Sequence, residues 1–177
     1  GRYLREAARI LEERADEIAE TLTREEGKTI DESTPEVGRA IDILYYYAER
    51  ASDYRGDVRN PGGDRRRLYT LREPKGVAGL VTPWNYPIAI PAWKLAPALA
   101  TGNTVVLKPA TLAPLVATEI VDALDEAGLP DGVLNMVTGP GSSVGETIIT
   151  HDEVDAVSFT GSAQVGYHVY DAATDNM

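Results

Sequence analysis

The length, composition and charge of the chain exclude several classes of protein. Its 177 residues are 43% hydrophobic, which is enough for one packed domain. The 17 Lys and Arg against 28 Asp and Glu give a formal net charge of −11, so we expect no nucleic-acid partner. No apolar run reaches the ~20 residues that cross a bilayer, and no apolar signal region follows residues 1–5. We therefore expect no membrane partner and a cytoplasmic location. Cysteine is absent, so these residues hold no disulfide, thiolate metal site or cysteine nucleophile.

The first fifty residues predict two helices. From Leu4 to Leu22, apolar residues recur every three or four positions, with Glu and Arg between them. Gly27 predicts the end of this helix, because glycine readily adopts the left-handed conformation of a helix terminus. Ser33 and Glu36 fit a capping box for a second helix, whose apolar stripe runs through 37–48. We expect both helices to pack on a larger core and to have no part in chemistry.

A polar, glycine-rich break separates these helices from the rest of the chain. It spans 56–67, and its NPGGD segment (60–64) predicts a turn. The three arginines at 65–67 fit a phosphate site or, as the favoured interpretation, a solvated turn or a guard on an edge strand. Alternation of apolar and polar residues across 68–72 predicts a half-exposed strand.

From Gly76 onward, short apolar runs alternate with helical patterns. The predicted strands are 76–82, 104–107, 133–137 and 156–159, and the predicted helices are 87–100, 112–127, 143–150 and 163–172. This order indicates an α/β fold with a Rossmann-like parallel sheet and helices on both faces, preceded by the N-terminal helical pair and a short β-hairpin. Ligands on such sheets bind at the carboxyl ends of the strands.

The residues after the first two strands are candidates for a ligand site. In TPWNYP (82–87), two prolines restrict a short loop that presents the side-chain amide of Asn85. Such an amide could stabilise an oxyanion, an effect of roughly 3–4 kcal/mol, although the local sequence favours a simple turn, with Trp84 as a core plug. Lys108 ends the second strand, where the hydroxyls or phosphates of a ligand would lie. It is isolated, because Lys75 and Lys94 are the only other Lys or Arg residues after Glu73; an ordinary strand-end lysine is an equally good interpretation.

The third and fourth strands end in glycine-containing turns. TGPGSSVG (138–145) departs from the dinucleotide fingerprint, since Val144 occupies the place of the last glycine. FTGS (159–162) opens a helix whose free N–H groups could receive a pyrophosphate. His151 and His168 predict surface or structural roles, and the sequence has no metal-binding spacing. The acidic excess fits a surface adapted to high salt or ordinary acidic solubility, and both remain open.

Five segments together resemble the aldehyde dehydrogenase superfamily, in the same order and over essentially the whole chain. They are TPWNYP (82–87), AWKLAPAL (92–99), TGNTVVLKP (101–109), GLPDGVLN (128–135) and FTGS (159–162). The run 88–94 is most similar to the 2,5-dioxovalerate (α-ketoglutarate semialdehyde) dehydrogenases. The resemblance implies an NAD(P)-dependent oxidoreductase that converts an aliphatic semialdehyde to a carboxylate, and a homodimer or homotetramer built through the hairpin.

The resemblance also implies roles for individual residues. Asn85 matches the oxyanion-stabilising amide, and Lys94 a supporting lysine near the nicotinamide. The residues implied to bind NADP or NAD are Thr82, Pro83, Trp84, Lys108, Thr111, Gly141, Gly145, Phe159, Gly161 and Ser162. Among them, Lys108 matches the lysine that bonds the adenosine ribose, and Ser162 matches the pyrophosphate contact. Metal ligands are not implied.

Two departures from the family pattern lead to further expectations. NAD-preferring members have a Glu that chelates the ribose at the position of Thr111, so we expect this chain to accept NADP, because a hydroxyl does not repel a 2′-phosphate. The family's catalytic cysteine and general-base glutamate lie beyond these motifs. We therefore expect the chain as given to be inactive alone and, with an open sheet edge, prone to aggregation.

The expected organisation has three parts. Residues 1–55 form the N-terminal helices of the cofactor-binding domain, 56–74 the oligomerisation hairpin, and 75–177 an incomplete Rossmann-like domain, without the catalytic domain. The alternative function is a non-catalytic nucleotide-binding or assembly module on the same scaffold, which the absence of cysteine favours if these residues are the whole gene product.

Overall fold

The structure is a computed structural model that describes residues 1–60, 62 and 66–174. Its helices are α1 (Arg2–Glu13), α2 (Ala15–Glu26), α3 (Ile30–Arg50), α4 (Ala89–Ala100), α5 (Leu115–Glu126), α6 (Glu146–Thr150) and α7 (Ala163–Thr174); a π-helical turn, Gly141–Gly145, leads directly into α6. Its strands are β1 (Val58–Arg59), β2 (Leu68–Tyr69), β3 (Val77–Val81), β4 (Thr104–Lys108), β5 (Leu134–Met136) and β6 (Ala156–Phe159). None of the helices within the described part of the chain is long and apolar enough to cross a membrane.

The last four strands form a parallel sheet in the order β5-β4-β3-β6. Strands β1 and β2 form a separate antiparallel pair. The predicted α/β fold with a Rossmann-like sheet, N-terminal helices and a short hairpin is confirmed. In the register of the sheet, Val81 lies beside Lys108 on one side and beside Phe159 on the other. The carboxyl ends of β3, β4 and β6 therefore meet at one edge.

The two faces of the sheet are covered by different helices. Helices α1–α5 pack on one face, where Leu80, Val105 and Leu107 join a continuous apolar core with α1, α2 and α3. The opposite face is covered by α6 and α7. Gly79 faces α6 so closely that an added Cβ would lie 2.5 Å from the Ile148 side chain. Side chains alternate across a strand, so Val81 and Lys108 also point towards the α6 and α7 face.

The start of α3 differs from the sequence prediction. The capping box predicted at Ser33 and Glu36 is wrong: both side chains are buried inside α3, and the helix is capped four residues earlier by Thr29. The Glu32 carboxylate accepts hydrogen bonds from the Thr29 backbone N–H at 3.0 Å and from its hydroxyl at 2.8 Å. The two consecutive quartets, 29–32 and 33–36, both satisfy the capping pattern, and burial of the second decides between them.

Two smaller features of the N-terminal half also differ. The first predicted helix is interrupted at Arg14, which separates α1 from α2. The strand predicted as half-exposed is fully exposed in this chain, with Leu68 and Tyr69 at 57% and 69% exposure. The predicted turn at 60–64 and the arginine run at 65–67 lie partly outside the described residues.

Candidate functional site

An apolar cavity of about 450 Å³ lies at the carboxyl edge of the sheet, between the π-helical turn and α7. Val81 and Phe159 form its floor, and Gly141 and Gly145 form one wall. Helix α7 supplies the other wall through Val165, Val169 and His168. Its size and apolar lining are those of a small-molecule site. Three residues predicted to bind the cofactor, Gly141, Gly145 and Phe159, thus line one cavity. Val81, the neighbour of Phe159 in the register of the sheet, lines it as well.

Lys108 lies directly behind the glycine wall of this cavity. A Cβ added at Gly145 would be 3.8 Å from Lys108 Cδ, so the glycine leaves room for the lysine stem. The Lys108 ammonium is buried and donates to the Pro109 carbonyl at 2.8 Å. Burial lowers the pKa of Lys108 below its ordinary value. Within the described residues no carboxylate pairs with it, and an ammonium has three protons to donate.

The loop after β6 is shaped by the Phe159 ring. A Cβ added at Gly161 would lie 2.4 Å from Phe159 Cζ, so this position accepts no side chain without displacing the ring. The ring also lies against Gly166 in the first turns of α7. Ser162 precedes α7, and its hydroxyl accepts a hydrogen bond from the Val165 N–H at 3.4 Å. The amino end of α7 therefore opens close to the floor of the cavity.

The loop after β3 contains an orphaned buried polar atom. The backbone N–H of Thr82 bonds to the Lys108 carbonyl at 3.1 Å, while Thr82 Oγ1 is buried without a hydrogen-bond partner among the described residues. A buried hydroxyl without a partner costs free energy unless a ligand or water satisfies it. Beyond the half-buried Pro83, Trp84 is 55% exposed, so its interpretation as a core plug is wrong.

Asn85 and Lys94 lie outside the cavity. The Asn85 side chain is exposed on the loop between the two prolines, and its backbone carbonyl accepts a hydrogen bond from Lys28 at 3.0 Å. Lys94 lies on α4, across the sheet from Lys108, where it donates to Ser158 Oγ at 2.7 Å. Burial lowers the pKa of Lys94. Thus the structure brings Lys94 to the carboxyl end of β6 from the opposite face.

Thr111 links two strand-end loops. Its hydroxyl donates to the Gly139 carbonyl at 2.9 Å, which ties the turn after β4 to the turn after β5. Thr111 is itself exposed, so a larger side chain could project into solvent.

Sequence reasoning missed two pairs near the site. At the cavity wall, His168 Nε2 lies 2.7 Å from Glu146 Oε2, whereas the sequence predicted only a surface or structural role for His168. Lys28 and Glu36 form an ion pair of 2.6 Å beneath the Asn85 loop. A signal for the second pair existed, because Glu36 occupies the buried stripe of α3 next to Val37 and needs a partner there. Its partner lies in a different segment and has no local signature.

The parallel sheet with helices on both faces makes this a Rossmann-like α/β domain. The apolar cavity at its carboxyl edge, beside a buried lysine that has no carboxylate partner among the described residues, is a site of ligand size. Residues 1–177 match the model of the aldehyde dehydrogenase family, and the chain belongs to that family. The resemblance drawn from the sequence motifs is confirmed.

Individual relatives show which members of the family the chain is similar to. The chain is 63% identical over 175 residues to the α-ketoglutarate semialdehyde dehydrogenase of Haloferax volcanii, covering 99% of this chain and 36% of that protein. It is 48% identical over 170 residues to the 2,5-dioxopentanoate dehydrogenase of Saccharolobus solfataricus, with 96% and 36% covered. The crystal structure of Staphylococcus aureus betaine aldehyde dehydrogenase in complex with NAD+ superimposes with a TM-score of 0.95 at 35% identity, over 99% of this chain and 35% of that chain. The chain spans about a third of the length of these proteins.

Proposed function

We propose that this chain is the NAD(P)-binding region of an enzyme that oxidises an aliphatic semialdehyde to a carboxylate. The observation that supports the proposal most strongly is the apolar cavity flanked by the buried Lys108 and by the amino end of α7. The hydroxyl of Thr82, which directly follows β3 and has no partner among the described residues, fits a strand end that is completed by a ligand or water. When bound, the nicotinamide supplies a hydride acceptor for the aldehyde carbon.

The adenosine end of the nucleotide fits the cavity and Lys108. Gly141 and Gly145 allow a flat base to approach the backbone of the π-helical turn, and Phe159 and Val165 supply apolar surface. Lys108 has donor capacity beyond its bond to the Pro109 carbonyl, and ribose hydroxyls accept such bonds. Desolvation strengthens an interaction with a buried ammonium relative to the same contact in water.

The pyrophosphate fits the turn at 160–162. Helix α7 has 12 residues, and its first backbone N–H groups point out of its amino end. Gly161 lets the backbone follow the Phe159 ring closely, so phosphate oxygens can reach these N–H groups beside Ser162. The Thr82, Pro83 and Trp84 segment then forms the wall along which the nucleotide extends towards Asn85.

Asn85 and Lys94 act at the reacting end. We assign the exposed Asn85 amide as a donor to the oxyanion that forms when a nucleophile adds to the aldehyde. Lys94 supports this end from beneath, because its bond to Ser158 fixes the residue before Phe159. The nucleophile itself comes from residues outside this cysteine-free sequence.

Thr111 supports acceptance of NADP as well as NAD. In this position a carboxylate would repel a 2′-phosphate, whereas the Thr111 hydroxyl is neutral and bound to the Gly139 carbonyl. The similarity to the two semialdehyde dehydrogenases supports α-ketoglutarate semialdehyde as the substrate. The exposed apolar hairpin, with Val58 at 77% and Tyr69 at 69% exposure, supports assembly into a homodimer or homotetramer.

The test is nucleotide binding and aldehyde oxidation by the full-length protein that contains this chain. Calorimetric titration should give saturable binding of NADP and NAD, and α-ketoglutarate semialdehyde should be oxidised with reduction of the nucleotide. Binding without oxidation of any aliphatic aldehyde would favour the alternative of a non-catalytic nucleotide-binding module. Absence of binding would refute both.

A further inference from the structure

The buried ion pair of Lys28 and Glu36 lies beneath the Asn85 loop, and the proposed function assigns it no role. Glu36, on α3, is 2% exposed, and its Oε2 lies 2.6 Å from Lys28 Nζ. Both charges are removed from solvent, because the Lys28 side chain is only 11% exposed. A buried pair is expensive to desolvate and adds little net stability. Such a pair therefore suggests a purpose other than stability.

The Glu36 carboxylate holds the exit of the loop. Its Oε1 accepts hydrogen bonds from the backbone N–H groups of Ile88 and Ala89, at 3.1 and 3.3 Å. These two residues are the N-cap and the first residue of α4. A negative charge at this end also interacts favourably with the helix dipole. The side chain of Glu36 thus fixes the point at which the loop becomes helix.

Lys28 holds the middle of the same loop. Its ammonium donates to the backbone carbonyl of Asn85 at 3.0 Å and lies 4.7 Å from the centre of the Tyr86 ring. Tyr86 in turn stacks on Trp93 of α4, with ring centres 6.3 Å apart and planes inclined by 12°. Lys28 therefore contacts two of the three residues between the prolines, Asn85 through its backbone carbonyl and Tyr86 through its ring.

We propose that Lys28, held by Glu36, is a positioning residue that sets the orientation of the Asn85 amide for aldehyde oxidation. The inference depends on the proposed function for its catalytic consequence, and on the described contacts for its structural part. The Asn85 carbonyl belongs to the residue whose side-chain amide we assign to the oxyanion, so fixing that peptide restricts the directions that the amide can take. A donor that is already oriented costs no reorganisation as charge develops.

The test uses the full-length protein and a double variant, Lys28→Met with Glu36→Gln. This change removes the Lys28 and Glu36 charges together, while the glutamine amide oxygen still accepts the Ile88 and Ala89 N–H groups. The Glu26 carboxylate, 3.8 Å from Lys28 Nζ, remains and keeps its hydrogen bond from the backbone N–H of residue 28. We expect kcat to fall about 10- to 100-fold, the scale of a small misplacement of a reacting group. KM for the nucleotide should change less than kcat, because Lys108 and α7 are untouched. The single variant Lys28→Arg keeps a charged donor at this position and should retain most of kcat.

A double-mutant cycle with Asn85→Ala separates positioning from general structure. If Lys28 acts through Asn85, the double variant should cause no further loss of kcat once the Asn85 amide is absent. An equal fall of kcat in the Asn85→Ala background would overturn the proposal, as would an unchanged kcat in the double variant alone. Arg14→Met is the matched control: it breaks an exposed ion pair of 2.8 Å to Glu126, far from the loop, and should leave kcat unchanged.

Hydrogen exchange tests the structural part without any assay of activity. In the double variant, the backbone amides of Trp84, Asn85 and Tyr86 should exchange faster, because the bond from Lys28 to the Asn85 carbonyl is lost. The amides of Ile88 and Ala89, which keep an acceptor, and those of β4 should keep their protection. Unchanged exchange at 84–86 would overturn the proposal whatever the activity. If exchange increases but the unmodified protein oxidises no aldehyde, the proposed function fails, and the positioning of Asn85 by Lys28 stands as a property of the fold.

Discussion

The two faces of the sheet are built differently. On the face covered by α1–α5, Val105 and Leu107 are fully buried in a core to which five helices contribute. On the face covered by α6 and α7, the apolar cavity reaches down to Val81, and Val169, at 8% exposure, is the only buried residue described in α7. The first face stabilises the domain, and the second leaves apolar surface and polar groups available. Most of the residues to which we assign nucleotide binding lie on the second face or at its edge.

The largest expected effect is on nucleotide binding at Lys108, where binding and stability should respond differently to one substitution. Lys108→Met in the full-length protein should weaken NADP binding about 100-fold, because hydrogen bonds from a charged donor are lost. The same change should leave the midpoint of unfolding unchanged or higher, since burial of the ammonium is costly and lowers its pKa. Calorimetry and thermal unfolding measure the two quantities. Lys75→Met, at an exposed lysine, is the control for charge.

The pH dependence of that stability difference follows from the direction of the pKa shift. A lysine with a lowered pKa loses its proton in the folded state before the unfolded state does. The unmodified protein should therefore gain stability relative to Lys108→Met as the pH rises towards 10.5, the ordinary lysine value. A stability difference that stays constant up to this pH would show that the ammonium is well solvated.

The next effect compares neighbouring valines on opposite faces of β4. Val105→Ala should lower the free energy of unfolding by about 2 kcal/mol, because it removes two methyl groups from a close-packed core. Val106→Ala should cost less than about 1 kcal/mol, since Val106 lines a second cavity near α6 and is only partly buried. Urea unfolding of the two variants measures the contrast. Equal losses would show that the second face is also a structural core.

The sequence predicted the sheet well, and this success has a physical reason. Runs such as those of β3 and β4 are apolar on both faces and short, which is a pattern that few other structures produce. Once the strands are parallel, their carboxyl ends must lie together, so Lys108 and Phe159 could be placed at one edge before any coordinates. The interruption at Arg14 was missed because the apolar stripe continues across it, from Leu11 to Ile18.

The Asn85 loop shows what could not be predicted from local sequence. The contacts that hold it come from Lys28 and Glu36, which are 57 and 52 residues away along the chain. Capping rules and hydrophobic periodicity relate only residues that are close in the sequence, so they cannot predict these contacts. The capping pattern even assigned Glu36 to the start of a helix. The exposure of Trp84 and the orphaned hydroxyl of Thr82 likewise depend on how the loop meets β4, which only the folded structure shows.

A moderate effect is expected at Thr111, the neutral residue that ties the turn after β4 to the turn after β5. Thr111→Glu in the full-length protein should reduce the kcat/KM for NADP relative to NAD by about tenfold, equivalent to ~1.4 kcal/mol, because a carboxylate repels the 2′-phosphate. Thr111→Gln has a similar shape without the charge and should change the ratio little. Steady-state kinetics with both nucleotides measure the preference. An unchanged ratio in the Glu variant would place the 2′-phosphate away from Thr111.

The smallest effect concerns salt and also differs between regions of the chain. Exposed ion pairs such as Arg9 with Glu6 and Arg24 with Glu20 lie in the N-terminal helices, and screening weakens each by only a few tenths of a kcal/mol. The part after Glu73 has three lysines and no arginine against its many carboxylates, so screening there mainly relieves repulsion. We therefore expect the midpoint of thermal unfolding to rise slightly as KCl increases from low to molar concentration. A rise that continues at molar salt favours a salt-adapted surface, and a plateau favours ordinary acidic solubility. A midpoint of thermal unfolding that falls would exclude salt adaptation. It would mean that salt weakens the ion pairs of the N-terminal helices by more than it relieves the repulsion between carboxylates after Glu73.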